Sequence, residues 1–449
     1  LKHFKNKTSF FDKSSNFFSK NLNISTFRLS HLYRFKILKR IRKHMYDYII
    51  AGGGCAGLNL ALHLNRMQAG ACRILLVDRD SKTKNDRTWC FWSNAIDAFE
   101  PIVTKRWSAL TFADEAGAQQ HALQEYQYQL IRGIDFYNFV KAELSNNPNI
   151  EWLQGEITHM EERPQAAFVV VDGQRYEAPF VFNSCFNWRN YQSNDTAYHL
   201  LIQHFMGWII VSDEPIFQPS CATLMDFRTP QHDTARFFYV LPLDERRALV
   251  EYTVFSDQVL PRDAYRQSLQ CYITERIGLK EYAIEAEEYG AIPMTDLPFP
   301  ARAGQRIVHI GTPGGAVKPT TGYAFLNIQQ QTVQLAAALT NTGSPHVRSR
   351  RAYRFRFYDR LLLNILQEEG SAAAGIFSRL FRRNRMEMIF RFLDERTTIW
   401  QEIRIFSTLP VRTFLAALWR VYVLPGRLRL KRASATPVPY LFTSDKTGI

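Results

Sequence analysis

A chain of 449 residues, 46% hydrophobic and 22% charged, has the balance of a globular protein long enough for two substantial lobes, which excludes a disordered or fibrous chain. The formal charge of +14 sits at the ends: residues 1–44 carry 12 Lys/Arg against one acid and residues 345–449 carry 20 against 8, while residues 45–344 carry 24 against 33. That acidic middle has no basic stripe interleaved with aromatics, which argues against nucleic acid as a partner.

Residues 1–44, basic and poor in acids, run up to Met45 and are read as an over-extended reading frame outside the fold, with an organellar transit peptide as the rival. Cys55, Cys72, Cys90, Cys185, Cys221 and Cys271 form no CxxC pair, so no metal site and no disulfide framework is expected, and a reduced cytoplasmic compartment fits. Nowhere do 18 apolar residues run unbroken, so no transmembrane helix is predicted.

The first patterned stretch is "YDYIIAGGGCAGLNLALHL" (46–64). A β-rich run to Ala51 enters Gly52, Gly54 and Gly57 at GxGxxG spacing and continues as a helix: strand, tight turn, helix. In such a turn Gly52 permits the bend, Gly54 lets backbone approach a pyrophosphate, and Gly57 lets helix and strand pack closely. A second strand, Arg73–Val77, ends in Asp78, placed to accept a ribose hydroxyl. Gly52, Gly54, Cys55, Ala56, Gly57 and Asp78 are therefore expected to hold a dinucleotide.

"NDRTWCFW" (85–92) reads as a loop; residues 150–158, 167–173 and 176–185 read as strands, the last returning to the nucleotide lobe. From Tyr198 the texture changes to short β-rich runs split by Pro and Asp, which predicts an antiparallel sheet inserted as a substrate lobe. "QRIVHIGTPGGAVKPTTGYAF" (305–325) supplies another strand and a turn containing Gly311, Gly314 and Gly315. The last hundred residues are helical, basic and aromatic. Val411, Phe414, Leu415, Leu418, Trp419 and Tyr422 share one helix face, bounded by Thr408 and Pro410 before and Pro425 and Gly426 after. That face fits a protein core or a bilayer surface. The fold class expected is α/β: a Rossmann-like doubly wound domain (45–195 and 301–345), a substrate lobe (196–300) and a helical region (346–449).

In "RALVEYTVFS" a strand places Leu249, Glu251, Thr253 and Phe255 on one face and Val250, Tyr252 and Val254 on the other. Glu251 becomes a lone carboxyl among apolar neighbours, and burial raises its pKa because the charged form loses hydration. Such a group can protonate a weak base such as an alkene; the rival is an exposed glutamate on a sheet edge.

Several motifs together resemble the bacterial lycopene β-cyclase family: the GxGxxG start, "RTWCFW", residues 203–227 and 237–256, "GTPGGAVKPTTGYAF" (311–325) and "FRFLDERTTIW" (390–400). The resemblance implies a flavoprotein-hydroxylase-like fold that binds FAD, active when reduced, with NAD(P)H as reductant. It implies closure of lycopene, or a related acyclic carotenoid, to β-carotene through γ-carotene without net redox change, with Glu251 as the acid. The loop 311–325 is then expected at the flavin's pyrimidine edge, though Thr312 stands where many flavoprotein hydroxylases have Asp. The family's acid motif has a second acid where this chain has Tyr252; restoring an acid there is expected to be tolerated or modestly helpful. A forty-carbon hydrocarbon implies peripheral attachment to an anionic cytoplasmic membrane surface. The alternatives are a flavin-dependent isoprenoid monooxygenase or saturase, and a carotenoid-binding flavoprotein without catalysis.

Overall fold

The computed structural model describes residues 46–95, 97–187, 198–347 and 352–423. The 1–44 extension and the helix-stop residues Pro425 and Gly426 lie outside them. The β-rich run after Met45 forms a strand, Tyr48–Ala51, at the centre of a five-stranded parallel sheet. Its neighbours are Phe180–Asn183 and Ile74–Asp78, flanked by Ile307–His309 and Ile150–Gln154. Parallel strands need crossovers, and the helices Cys55–Met67, Gly133–Ser145 and Phe325–Thr342 bury their apolar sides with the sheet in one core.

A second sheet of seven strands carries the chemistry. Its order is Ala283–Thr295, Leu200–Val211, Arg247–Ser256, Ala235–Pro242, Cys221–Asp226, Ala109–Asp114 and Gly117–Ala122. All neighbours are antiparallel except Cys221–Asp226 with Ala109–Asp114. Five of the strands come from the segment expected as a substrate lobe, and residues 109–122 add two more. "RTWCFW", expected as a loop, is instead the strand Thr88–Ser93, paired with Gln127–Arg132; its β-branched and aromatic residues satisfy their backbone groups in a small three-stranded sheet.

The two faces of the large sheet differ. On one, Met206, Trp208, Phe238, Val250, Tyr252 and Val254 pack under the helix Arg262–Tyr272. On the other, Leu249, Phe237 and Phe255 pack with the C-terminal helices, tied at the far edge by Arg382 donating to Asp114 at 3.0 Å. Those helices run over Tyr353–Glu368, Ala372–Arg383, Met386–Leu393, Ile399–Phe406 and Val411–Tyr422. The apolar face of the last is divided: Phe414 and Leu418 pack on the core, while Val411, Leu415 and Trp419 face outward. Its apolar stripe is wider than the contact that receives it.

Tyr252 is 2% exposed, stacks on Phe238 with ring centroids 4.7 Å apart, and reaches Arg236 with its hydroxyl. An acid here points away from the Glu251 face, and a glutamate is too short to reach Arg236. The expected tolerance of an acid at this position is therefore corrected. Tyr252→Glu is expected to cost about 3–5 kcal/mol, the scale of an uncompensated buried charge, read as a fall in the thermal or denaturant midpoint; an unchanged midpoint contradicts this packing.

Candidate active site

Each half of the site begins with a backbone constraint. In the first turn Gly52 has φ +99°, which an L side chain resists, and a Cβ on Gly57 would lie 1.9 Å from the Gly52 carbonyl oxygen. Around Gly54, by contrast, a Cβ would meet nothing within 4 Å. Gly54, Cys55 and Ala56 open onto a cavity of about 510 Å³. Asp78 accepts the Gly53 amide at 2.6 Å and the Asp80 amide at 2.7 Å. It shapes the turn directly, with lone pairs left over for a ribose hydroxyl.

The second glycine loop lines the same cavity beside the first turn. Gly311 lines it with φ +66°, and a Cβ there would come 2.7 Å from that of Ala56. Gly314 and Gly315 do not line it: the amides of Gly314, Gly315 and Ala316 bond to carbonyls within the turn. They shape the loop, and Thr312, Val317 and the helix start at Ala324 and Phe325 are what face the cavity. Gln331 clamps the turn, accepting from the Gly311 amide and donating to the Gly314 carbonyl.

The wall of the cavity is one face of the seven-stranded sheet, read off at every second residue: Gln203 and Phe205, Tyr239 and Leu241, Leu249 and Glu251, Glu288 and Gly290. In register, Gly207 lies opposite both Glu251 and Glu288, on the strands to its two sides. A Cβ at Gly207 would lie 3.1 Å from the Glu288 side chain and 3.4 Å from that of Glu251. The two carboxyls thus face each other over a strand that supplies no side chain to separate them. Thr253 donates to Glu251 at 2.7 Å, and Thr88, from the "RTWCFW" strand, donates to Glu288 at 2.7 Å.

Burial first, and the neighbouring Glu288 second, push the Glu251 carboxyl up to about 8. Burial likewise raises Glu288, opposed by the hydrogen bonds from Thr88 and Glu251. The pair thus favours a proton on Glu251 with Glu288 as its acceptor. Two further acids, Asp226 and Glu395, are engaged elsewhere. Asp226 is fully buried, yet Arg228 and Tyr272 outweigh the desolvation and hold it below the usual carboxylate range. Glu395 is ion-paired to Lys318 at 2.8 Å.

Aromatic rings complete the wall: Trp89, Tyr128, Phe205, Tyr239 and Tyr323 line the cavity, and the Tyr128 and Tyr323 hydroxyls meet at 3.1 Å. Sequence reasoning assigned no role to Arg87, which lines the cavity near Cys55 and pairs with Asp86 at 2.7 Å. It also missed Glu288. The signal available was the alternation in "EAEEYGAIPM", obscured by its run of acids.

The comparisons with known proteins agree with this geometry. The lycopene cyclase protein family matches residues 47–419. The lycopene beta-cyclase of Pantoea ananas is 26% identical over 396 residues, spanning 83% of this chain and 97% of that protein. That of Paracoccus sp. is 26% identical, over 81% and 94% of the two chains. The chloroplastic lycopene beta cyclase of Arabidopsis thaliana is 24% identical over 69% of this chain and 63% of its own length. Among solved structures, a geranylgeranyl bacteriochlorophyll reductase-like protein from Thermoplasma acidophilum superposes with a TM-score of 0.53 at 13% identity, covering 85% and 98% of the chains. A flavin-dependent brominase gives 0.52 at 12% identity, covering 78% and 93%. At those identities the structural likeness concerns the fold, which is that of flavoproteins. A family match that takes in both glycine loops and the sheet carrying Glu251 leaves one assignment: the chain belongs to the lycopene cyclase family.

Proposed function

We propose that this lycopene cyclase forms β-rings on the ends of lycopene by an acid-catalysed, redox-neutral closure in which Glu251 is the proton donor. The observation that carries this reading is the place of Glu251 on the wall of an aromatic-lined cavity, where burial pushes its carboxyl up to about 8. At neutral pH such a group holds a proton, and an alkene needs an acid of that kind. The O–H bond of Glu251 breaks as a C–H bond forms on the terminal alkene. The tertiary cation is captured by an internal double bond, and loss of a ring proton leaves the new alkene. Tyr239, adjacent in register to Glu251, and Tyr323 present ring faces that attract the cation. The same side chains keep water, which would quench it, at a distance.

The chain fits FAD on its own geometry: the open space at Gly54, the glycine-only contacts at Gly52 and Gly57, and the buried, unpaired Gln203 Oε1 at the cavity wall. Gly54, Cys55 and Ala56 would hold its pyrophosphate at a helix N-terminus, and Gly311 and Thr312 its ring system. When bound and reduced, FAD supplies a fixed negative charge in the site, NAD(P)H serving only to keep it reduced. Arg87 supplies a compensating cation at the turn.

Attachment to a membrane belongs to the same reading. Among the described residues no helix is long and apolar enough to cross a bilayer. Two successive helices nevertheless expose Ile399, Trp400 and Ile403, then Val411, Leu415 and Trp419, with Trp400 81% exposed. Arg404 and Arg412 lie exposed on the same helices. Apolar rings beside arginines suit the interface of an anionic bilayer on the cytoplasmic side.

This reading fixes the expected outcomes. Gly54→Val leaves the fold intact and removes bound flavin, whereas Gly57→Val, with a backbone oxygen in its way, loses the fold; flavin absorbance and circular dichroism of the two variants separate these effects, and a yellow Gly54→Val protein contradicts the phosphate position. Glu251→Gln abolishes β-ring formation in lycopene-producing cells while flavin content stays normal. In D₂O the wild-type ring acquires solvent deuterium, and oxidation of one NAD(P)H per ring would instead make the enzyme a saturase. Replacing Trp400 and Trp419 with Ser lowers flotation with vesicles, and raising salt weakens binding to anionic vesicles more than to neutral ones; equal salt response of the two removes the electrostatic part.

A further inference from the structure

The position after Glu251 carries tyrosine, and the strand alternation turns it away from the cavity. A second carboxyl does enter the same wall, two strands away. We propose that Glu288 is the proton-sharing partner of Glu251: the two carboxyls, set on either side of Gly207, hold one proton between them, which Glu251 delivers to the alkene and the pair recovers when the ring carbon releases its own.

Three observations converge on this arrangement. Register places both residues opposite Gly207, whose missing side chain leaves the space in which they meet. Both line the cavity. Thr253 and Thr88 each donate to one of them, fixing Glu251 and Glu288 separately while leaving their remaining oxygens toward each other. Glu287, one residue earlier, shows what the alternation selects: it pairs with Arg266 at 3.2 Å and accepts from Trp208 on the other face. The groups that face the pair from the elements packed on it are Cys90 from the Thr88–Ser93 strand, Tyr239 from the neighbouring strand and Tyr323 from the glycine loop. Burial pushes all three up, so they stay neutral at working pH. The charge of the pair is therefore set by its own proton.

The balance closes within the pair. One carboxyl and one carboxylate together carry a single negative charge. Donation from Glu251 leaves two carboxylates beside the cation, an arrangement whose mutual repulsion favours retrieval of a proton. The ring C–H bond then breaks, its electrons form the new double bond, and its proton returns to the pair. No exchange with solvent is required within a turnover, and Glu288 acts through Glu251 as a positioning residue.

This assignment rests on the cyclase reading of Glu251, and its test separates the two. Glu288→Gln keeps the size and the Thr88 hydrogen bond but removes the like charge, so Glu251 loses its proton at lower pH. Wild-type activity is expected to fall as pH rises through about 8, because the protonated form is the active one. In Glu288→Gln that limb should move down by about one pH unit. A purely structural role for Glu288 leaves the limb in place, and that result overturns the proposal. Infrared difference spectra of the flavin-loaded protein without substrate supply an independent reading: the protonated-carboxyl band should titrate near 8 in the wild type, be absent in Glu251→Gln, and shift down in Glu288→Gln. If Glu288→Gln does not fold, the first two spectra decide, and a wild-type band already lost at the ordinary glutamate pKa of about 4.3 refutes the pair. If the wild-type protein closes no ring, the cyclase reading falls while the spectra still test the shared proton.

Discussion

Two carboxyl groups meeting across a glycine set the terms for the rest of this protein. Burial in a cavity with aromatic walls, and then the like charge of Glu288, push the Glu251 carboxyl up to about 8. The geometry is a property of the sheet: only at a side-chain-free position between two strands can side chains from both neighbours meet over the middle one. Gly207 provides that position, and the threonines at 88 and 253 fix the carboxyls that reach over it.

A fold associated with electron transfer is thus combined with a wall arranged for proton transfer. The parallel sheet and its two glycine loops build a cradle for a dinucleotide, and the antiparallel sheet closes that cradle with an acid pair in place of a simple apolar lid. Cation–π attraction and a fixed negative charge act in the same direction here, since each stabilises a carbocation and neither consumes electrons.

Much of this was legible in the chain. GxGxxG spacing announced the first turn, because the close contact of Gly57 with the Gly52 carbonyl admits no other residue. Period-two alternation separates Glu251 from Tyr252 in the sequence itself. Glu288 was not legible, for a physical reason: its strand is at the sheet edge, its first half is exposed, and its acids at 285, 287 and 288 resemble a solvated face. Which of those acids turns inward depends on register with Gly207, a pairing between residues some eighty positions apart. The strand at "RTWCFW" was hidden similarly, since its partners lie elsewhere in the chain. Gly314 and Gly315 show a feature the motif does not reveal: their amides bond to carbonyls within the turn itself.

The C-terminal helices join the two halves of this argument. Lys318, in the second glycine loop, is buried between Asp359 and Glu395, and Thr320 donates to Asp359 at 2.9 Å. Trp92, from the strand that carries Thr88, donates to Asp394 at 2.9 Å and stacks on Phe390. A buried cation left without its carboxylates is costly, so these helices cannot shift without disturbing the loop that faces the cavity. The same layer exposes Trp400 and Trp419 on its outer side. Its inner side therefore holds in shape the glycine loop that faces the cavity, while its outer side presents the rings of Trp400 and Trp419.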